Sequence, residues 1–423
     1  MSRIYLRISG LLLLLLSLSV TSQELLIKDA RIHTMGSAGV LESSDILIRN
    51  GKIAKIGKSL TADTKIQVID AAGRELSPGL FGGLGTVGLG EISLESSTID
   101  QQLDLQQMRP EFSPGLAYNP ASSLVAINRI EGVLYTVLSP TQAGSIIEGQ
   151  GSTVLLDGKS MPSSAQVLFI SMGAAAKADS GGSRAAQFML LEQAFTEAQK
   201  GGDQNGQFRL LTHAGRATLK QWQQKPVIFM LDRAADIRQA LGFIKRHKLN
   251  AVIAGAAEGW MLAAELKAAG IPVIIDPLVN LPGSFDSLGA RLDNAAILAA
   301  AGVEVMFSAA GASAAHNMRK IRQSAGNAVA NGMPYAAAMA AITSVPAKFF
   351  GYAGGQIKVG EVANLVIWDG DPLEVTSAAY AVIIKGENTA MVSRQTLLRD
   401  RYLPTDNKLP RAYIHPGRSL LSR

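Results

Sequence analysis

The 423-residue chain contains no cysteine, which excludes disulfides, thiolate nucleophiles and cysteine-ligated metal centres. Histidine is scarce: only His33, His213, His247, His316 and His415 occur. Charged residues make up 17% against 47% hydrophobic ones, a balance that excludes a disordered chain and leaves a folded one with a sizeable core. The GxSxG turn of serine hydrolases is missing, and no His-and-acid set can be placed beside Ser139, Ser171 or Ser308. A phosphate-binding glycine loop is also absent. In "GGLGTVGLG" the residues Gly83, Gly85 and Gly88 are present, but the stretch opens no helix and fails the dinucleotide spacing.

The net charge of +6 is unevenly spread. Arg394 to Arg423 carries seven positive against two negative residues, and Arg3 and Arg7 account for two more positives. The body is therefore close to neutral, and a nucleic-acid partner is not expected. A basic tail of this kind is either a solvated segment or a contact for an acidic partner or lipid headgroups. Arg3 and Arg7 precede an apolar run from Ile8 to Val20 with six consecutive leucines, followed by "VTSQ". These are the parts of a cleavable secretory leader ending after Ser22; the alternative is an uncleaved anchor, for which the run is short of the roughly 20 residues a span needs. No later segment is long and apolar enough to cross a bilayer. The expected location is periplasmic or secreted, where a cysteine-free chain is unexceptional.

Residues 24–75 read as short strands and tight turns, with Asn50-Gly51 between "ILIR" and "KIAKIG" as a hairpin signal. Similar strands return in "GQIKVGEVANLVIWDGDPLEV" and "YAVIIKGENTAMV". Between the two β-rich ends, apolar runs such as "GVLYTVLSP", "QVLFISMG", "PVIFML", "NAVIAGA", "PVIIDP" and "VEVMFSA" come to alternate with helical stretches such as "DRAADIRQALGFIKRHK". Alternation of this kind predicts parallel strands with helical crossovers, and Pro78 to about Gly351 supplies enough chain for an eightfold barrel of about 250 residues. A doubly wound open sheet is the alternative. The fold class expected is α/β: a (β/α)8 TIM barrel with a composite β-sandwich formed from the N- and C-terminal segments. The organisation is 1–22 leader, 23–77 N-terminal part of the sandwich, 78–351 barrel, and 352–423 C-terminal part plus basic tail.

Taken in order, "LLIKDARIHTM", "DILIRNGKIAKIG", "VIDAAGRELSPGL", "KPVIFMLDRAADIRQAL", "RLDNAAILAAAGVEVMFS" and "GQIKVGEVANLVIWDGDPLEV" make the chain resemble the amidohydrolase superfamily, in particular its exported imidazolonepropionase- and prolidase-like group. The resemblance implies a metal-dependent hydrolase of C–N bonds, in which a Lewis-acidic ion activates water at the C-terminal mouth of the barrel. It also implies a His-x-His pair on the first barrel strand. Set against "PGLxxxHxH", Pro78-Gly79-Leu80 is followed by Leu84 and Thr86 at the two ligand positions. On the fifth strand Met230 stands where a histidine is implied, and "AVIAGAAEG" offers none, with Glu258 the nearest charged group. Around the implied general base of the eighth strand lie Ala310, Gly311 and Ala312, and Lys177 falls in a loop rather than on the fourth strand. Leucine and alanine have no donor atom, and a thioether suits soft copper rather than zinc.

Other residues bear on the same chemistry. His316 follows the eighth strand and suits a helix-start or surface position, or a hydrogen bond to a ligand; His213 reads as solvated. Strand ends are where barrel enzymes keep catalytic groups, and Glu91, Glu95, Asp157, Asp232 and Asp276 lie at or beyond such ends. Two of them could form an acid–base pair, yet Asp232 before "RAADI" also reads as an N-cap and Asp276-Pro277 as a turn. Gly82, Gly83, Gly85, Gly88 and Gly90 strip the first strand of side chains, leaving its mouth either wider or filled by neighbours. No residue is assigned as catalytic, cofactor-binding or metal-binding, and no cofactor is expected. The expected role is that of a non-catalytic homologue acting as a binding protein or as partner subunit of a catalytically complete relative. Self-association and a small-molecule ligand are both compatible with this role. The alternative is an active hydrolase of amide or dipeptide C–N bonds with an unconventional site.

Overall fold

The computed structural model describes residues 24–61, 66–92, 95–164, 167–200, 209–222, 225–309 and 314–403. The expected leader, His415 and Ala310 to Ala312 lie outside the described residues.

The chain opens with β1 (Glu24–His33), β2 (Val40–Arg49), β3 (Lys52–Gly57), β4 (Gln67–Asp70) and β5 (Glu75–Pro78). Asn50 and Gly51 turn β2 into β3 with φ of 50° and 73°, as a hairpin turn with two left-handed residues requires. The central run has β6 (Leu80–Gly85), β7 (Gln102–Asp104), α1 (Ser123–Arg129), β8 (Val133–Leu138), β9 (Thr141–Ala143), β10 (Ile147–Leu155) and β11 (Val167–Ser171). Next come α2 (Arg184–Lys200), α3 (His213–Gln221), β12 (Pro226–Leu231), α4 (Ala234–His247), β13 (Asn250–Gly255), α5 (Ala263–Ala269), β14 (Val273–Ile275), α6 (Asn294–Ala300) and β15 (Val305–Phe307). Helices α7 (Ala314–Asn317), α8 (Ile321–Ala330), α9 (Tyr335–Ala341) and α10 (Ser344–Phe350) lead to β16 (Leu365–Trp368), β17 (Ala379–Ile384), β18 (Glu387–Thr389) and α11 (Arg394–Tyr402).

Strands from both ends share one sheet in the order β18-β17-β16-β5-β1-β2-β3, with β4 also paired to β1. It has its own apolar core, including Leu25, Ile27, Ile46, Ile48, Leu76, Leu365 and Ile383. The second eight-stranded sheet runs β15-β14-β13-β12-β11-β10-β8-β6. It is a nearly closed barrel, because Ser308, just past β15, accepts the Leu84 amide of β6 at 2.9 Å.

The all-parallel expectation fails at one strand. β11 to β15 are parallel, as are β6 and β8, but β10 is antiparallel to both β8 and β11. The connections flanking β10, residues 139–146 and 156–166, contain no helix among their described residues. Parallel return needs a crossover of a dozen or more residues, usually a helix. Shorter connections reverse the chain, and β10 fills its barrel position from the opposite direction.

Candidate functional site at the barrel mouth

The C-terminal ends of the parallel strands converge on one rim. On β6, Leu84 is partly buried, with its amide held by Ser308. On β12, Met230 is 40% exposed although Val227, Ile228 and Phe229 before it are fully buried. In register beside it stand Ser171 of β11 and Ala254 of β13. The mouth therefore presents a thioether, an isobutyl group and hydroxyls.

The glycines of β6 are occupied by neighbours. A Cβ on Gly82 would lie 2.2 Å from Met318 Cγ, and one on Gly85 would lie 2.7 Å from Met318 Cε. Gly83, at φ 91°, brings the backbone against Ser308. Met318, fully buried at the end of the segment after β15, packs where side chains of β6 would otherwise stand. Of the two alternatives left open for this stretch, filling rather than widening describes Gly82 and Gly85.

Four carboxylates and one guanidinium gather behind the rim of β11, β12 and β13. Glu258 accepts the Ala234 amide at 2.9 Å and the Gly289 amide at 3.1 Å. Asp286 accepts the Ala174 amide at 2.6 Å and pairs with Arg184, whose Nε also meets Asp236 at 2.7 Å. Among the described residues, the Asp232 carboxyl accepts only the Ala257 amide, at 3.3 Å. The N-cap role expected of Asp232 falls elsewhere: Arg233 occupies the N-cap of α4 without a side-chain bond, and Glu258 reaches across from the loop after β13 to take the first free amide. Burial raises the Asp232 pKa above the usual carboxylate range, the charges of Asp286 and Glu258 add to that, and the Ala257 amide opposes it.

The remaining candidates are dispersed or engaged. Glu91 accepts from Asn119 and Ser122, and Glu95 caps the turn at Ser97. Asp276 accepts the Leu278 amide at 3.0 Å, the turn its Asp-Pro step predicts. Burial pushes the Asp157 carboxyl up, but the Ser160 hydroxyl and amide, the Lys159 amide and Lys385 outweigh it and hold the pKa low. His33 contacts Glu75 at 2.6 Å in the terminal sheet, and His247 contacts Glu192 at 2.8 Å between helices. His213 and His316 are exposed, and Lys177 lies in the loop before Ala178. The Asp286–Arg184–Asp236 chain was not anticipated from sequence, since its members stand 50 or more residues apart without a shared motif.

A divalent hydrolytic ion needs three or four N or O donors converging on one point. Among the described residues no group of three His, Asp or Glu side chains could hold one. The rim carboxylates are turned to backbone amides and Arg184. The residues present do not fit such an ion.

Residues 243–395 match the amidohydrolase family. The matched segment begins inside α4, after Leu84, Thr86 and Met230. The amidohydrolase tasK of Hapsidospora irregularis is 46% identical over 57 residues, which is 13% of this chain and only 6% of that protein. Among solved structures, an amidohydrolase from Thermotoga maritima MSB8 superposes with a TM-score of 0.76 at 21% identity, covering 86% of this chain and 99% of that one. Molinate hydrolase follows the same fold at 0.54 and 15% identity, over 88% and 95% of the two chains. An adenosine deaminase from Xanthomonas campestris, with bound zinc in that protein, does so at 0.52 and 17%, over 89% and 96%. At these identities the likeness establishes the amidohydrolase barrel fold.

Proposed function

We propose that this chain is an exported, non-catalytic homologue of the amidohydrolases, one that uses the barrel as a binding scaffold, for a small molecule or for a catalytically complete relative. One observation carries this reading: Leu84, Thr86 and Met230 stand where the resemblance implies imidazoles, and the nearby carboxylates are already spent on amides and Arg184. A Lewis acid supplies most of the water activation and bond polarisation in metal-dependent hydrolysis, and nothing among the described residues substitutes for it. Export rests on the leader over residues 1–22. The shared sheet is read as the composite sandwich that joins 23–77 to 352–423, with 78–351 as the barrel.

The competing reading is hydrolysis of amide or dipeptide C–N bonds at an unconventional site. It is favoured by Asp232, whose raised pKa is the property a general acid needs. One experiment separates the two. Purified protein equilibrated with zinc, manganese or iron and then passed over a chelating resin is expected to retain substoichiometric metal and to leave amide and dipeptide substrates intact. Near-stoichiometric retention together with turnover that is lost in Asp232→Asn would overturn the proposal.

A further inference from the structure

The connection from β14 to α6, residues 276–293, is longer than most βα loops, and long ordered loops at a barrel mouth commonly cover it. It starts at the seventh position of the sheet, yet Asp286 bonds to the Ala174 amide beyond the fourth strand, β11. To reach that point the segment crosses the ends of β13 and β12. On its way back, the Gly289 amide donates to Glu258 at 3.1 Å and its carbonyl accepts Trp260 Nε1 at 2.8 Å, both residues following β13.

The landing point is built to receive it. Gly173, at φ 80°, has no side chain where a Cβ would lie 2.8 Å from Asp286 Oδ2. The Gly173 backbone is clamped by Gln187, whose Oε1 accepts its amide at 3.0 Å and whose Nε2 donates to its carbonyl at 2.8 Å. Arg184 is held for Asp286 by Asp236. Asp286 is itself buried, whereas its neighbour Phe285 is 86% exposed and Leu281 72%. A segment whose large apolar side chains face water is not held by its own core, so its position depends on the few polar contacts that tie it down.

We infer that residues 276–293 are a strap lying over the rim of the barrel at β12 and β13, its far tip held by one latch, Asp286 on the Ala174 amide and the Arg184 guanidinium. Met230 lies beside the landing point, because the Met172 amide, two residues before Ala174, donates to the Met230 carbonyl at 3.2 Å. Release of the strap therefore frees the rim next to Met230, a side chain already 40% exposed with the latch closed. The inference holds whether the mouth binds a ligand or hydrolyses one.

The test is amide hydrogen exchange read by mass spectrometry on the full chain, with methionine oxidation by dilute peroxide as a second readout. In Asp286→Ala, exchange across 278–290 and at Ala174 is expected to accelerate about tenfold or more. Met306 and Met318, both fully buried, are expected to stay unreactive, which distinguishes strap release from general loosening. Asp286→Asn, which keeps an acceptor for Ala174 and drops the charge pair, is expected to accelerate the same peptides less. Asp236→Asn, which keeps Asp286 on the Ala174 amide but loosens Arg184, is expected to accelerate the same peptides less than Asp286→Ala does. The inference is overturned if strap exchange is unchanged in both Asp286 variants. It is equally overturned if the acceleration is spread over the barrel with Met306 and Met318 oxidising as well.

Discussion

Single residues decide what the mouth can do. Met318 fills the space that Gly82 and Gly85 leave free, so the first strand is shaped for packing against the segment after β15. Gly82→Ala should therefore overpack that contact and cost about 1–3 kcal/mol. Denaturant unfolding would measure it, and Met318→Ala should recover part of the loss in the double variant, because the added methyl then keeps only its contact with Val133 Cγ1, at 2.7 Å. Asp232 illustrates the opposite tension, a carboxyl partly withdrawn from water. Burial, with Asp286 and Glu258 nearby, places its folded-state pKa above the unfolded one. The ionised form thus costs stability above the folded pKa, and the cost disappears as pH falls through it. Asp232→Asn keeps an acceptor for the Ala257 amide and removes the charge. It should raise the thermal midpoint at neutral pH, with a gain that shrinks toward about pH 4, where the unfolded carboxyl is also protonated. An equal gain at both pH values would mean that the burial cost is not the cause.

At the scale of elements, the sheet tolerates a reversed strand because a barrel needs eight edges paired, not eight strands of one polarity. β10 meets β8 and β11 with antiparallel bonds, and Gly151 lets both neighbours approach: a Cβ there would lie 2.4 Å from Phe169 and 2.6 Å from the Leu138 carbonyl. The run "IIEGQGSTVLL" holds six consecutive polar or glycine residues, Glu148 to Thr153, so its period does not announce a buried strand. β8 and β11 to β15 were legible as apolar runs bounded by turn residues, and the hairpin at Asn50-Gly51 was legible from its dipeptide. What the runs did not carry was direction, because a strand reads alike either way. Direction is set by the length and helix content of the connections.

Across the whole molecule, the two ends and the barrel are locked together by buried polar contacts. Arg322 of α8 is almost fully buried, and it donates to the carbonyls of Pro372, Glu374 and Ser377 in the segment between β16 and β17. Trp368 Nε1 of β16 donates to Ser77 Oγ of β5 at 2.9 Å, and Tyr135 of β8 donates to the Ala353 carbonyl at 2.6 Å. Arg322→Met strips the buried carbonyls of Pro372 and Ser377, and the part-buried one of Glu374, of their donor. It should cost about 3 kcal/mol or more, given roughly 1–3 kcal/mol for each unsatisfied buried group. Calorimetry should then show one transition moving to lower temperature. Separation into two transitions would mean that the terminal sheet unfolds independently of the barrel.

Sequence alone determined which side chains are on offer: no thiolate and five imidazoles, whatever the fold. It also determined the β-rich ends and the apolar strands, since burial and turn chemistry are local properties. Only the tertiary structure decided where the carboxylates point, that Glu258 and not Asp232 caps α4, and that Asp286 reaches across two strands to Ala174 and Arg184. Those pairings join residues far apart in the chain, and their energies depend on distance and burial, which no local pattern encodes.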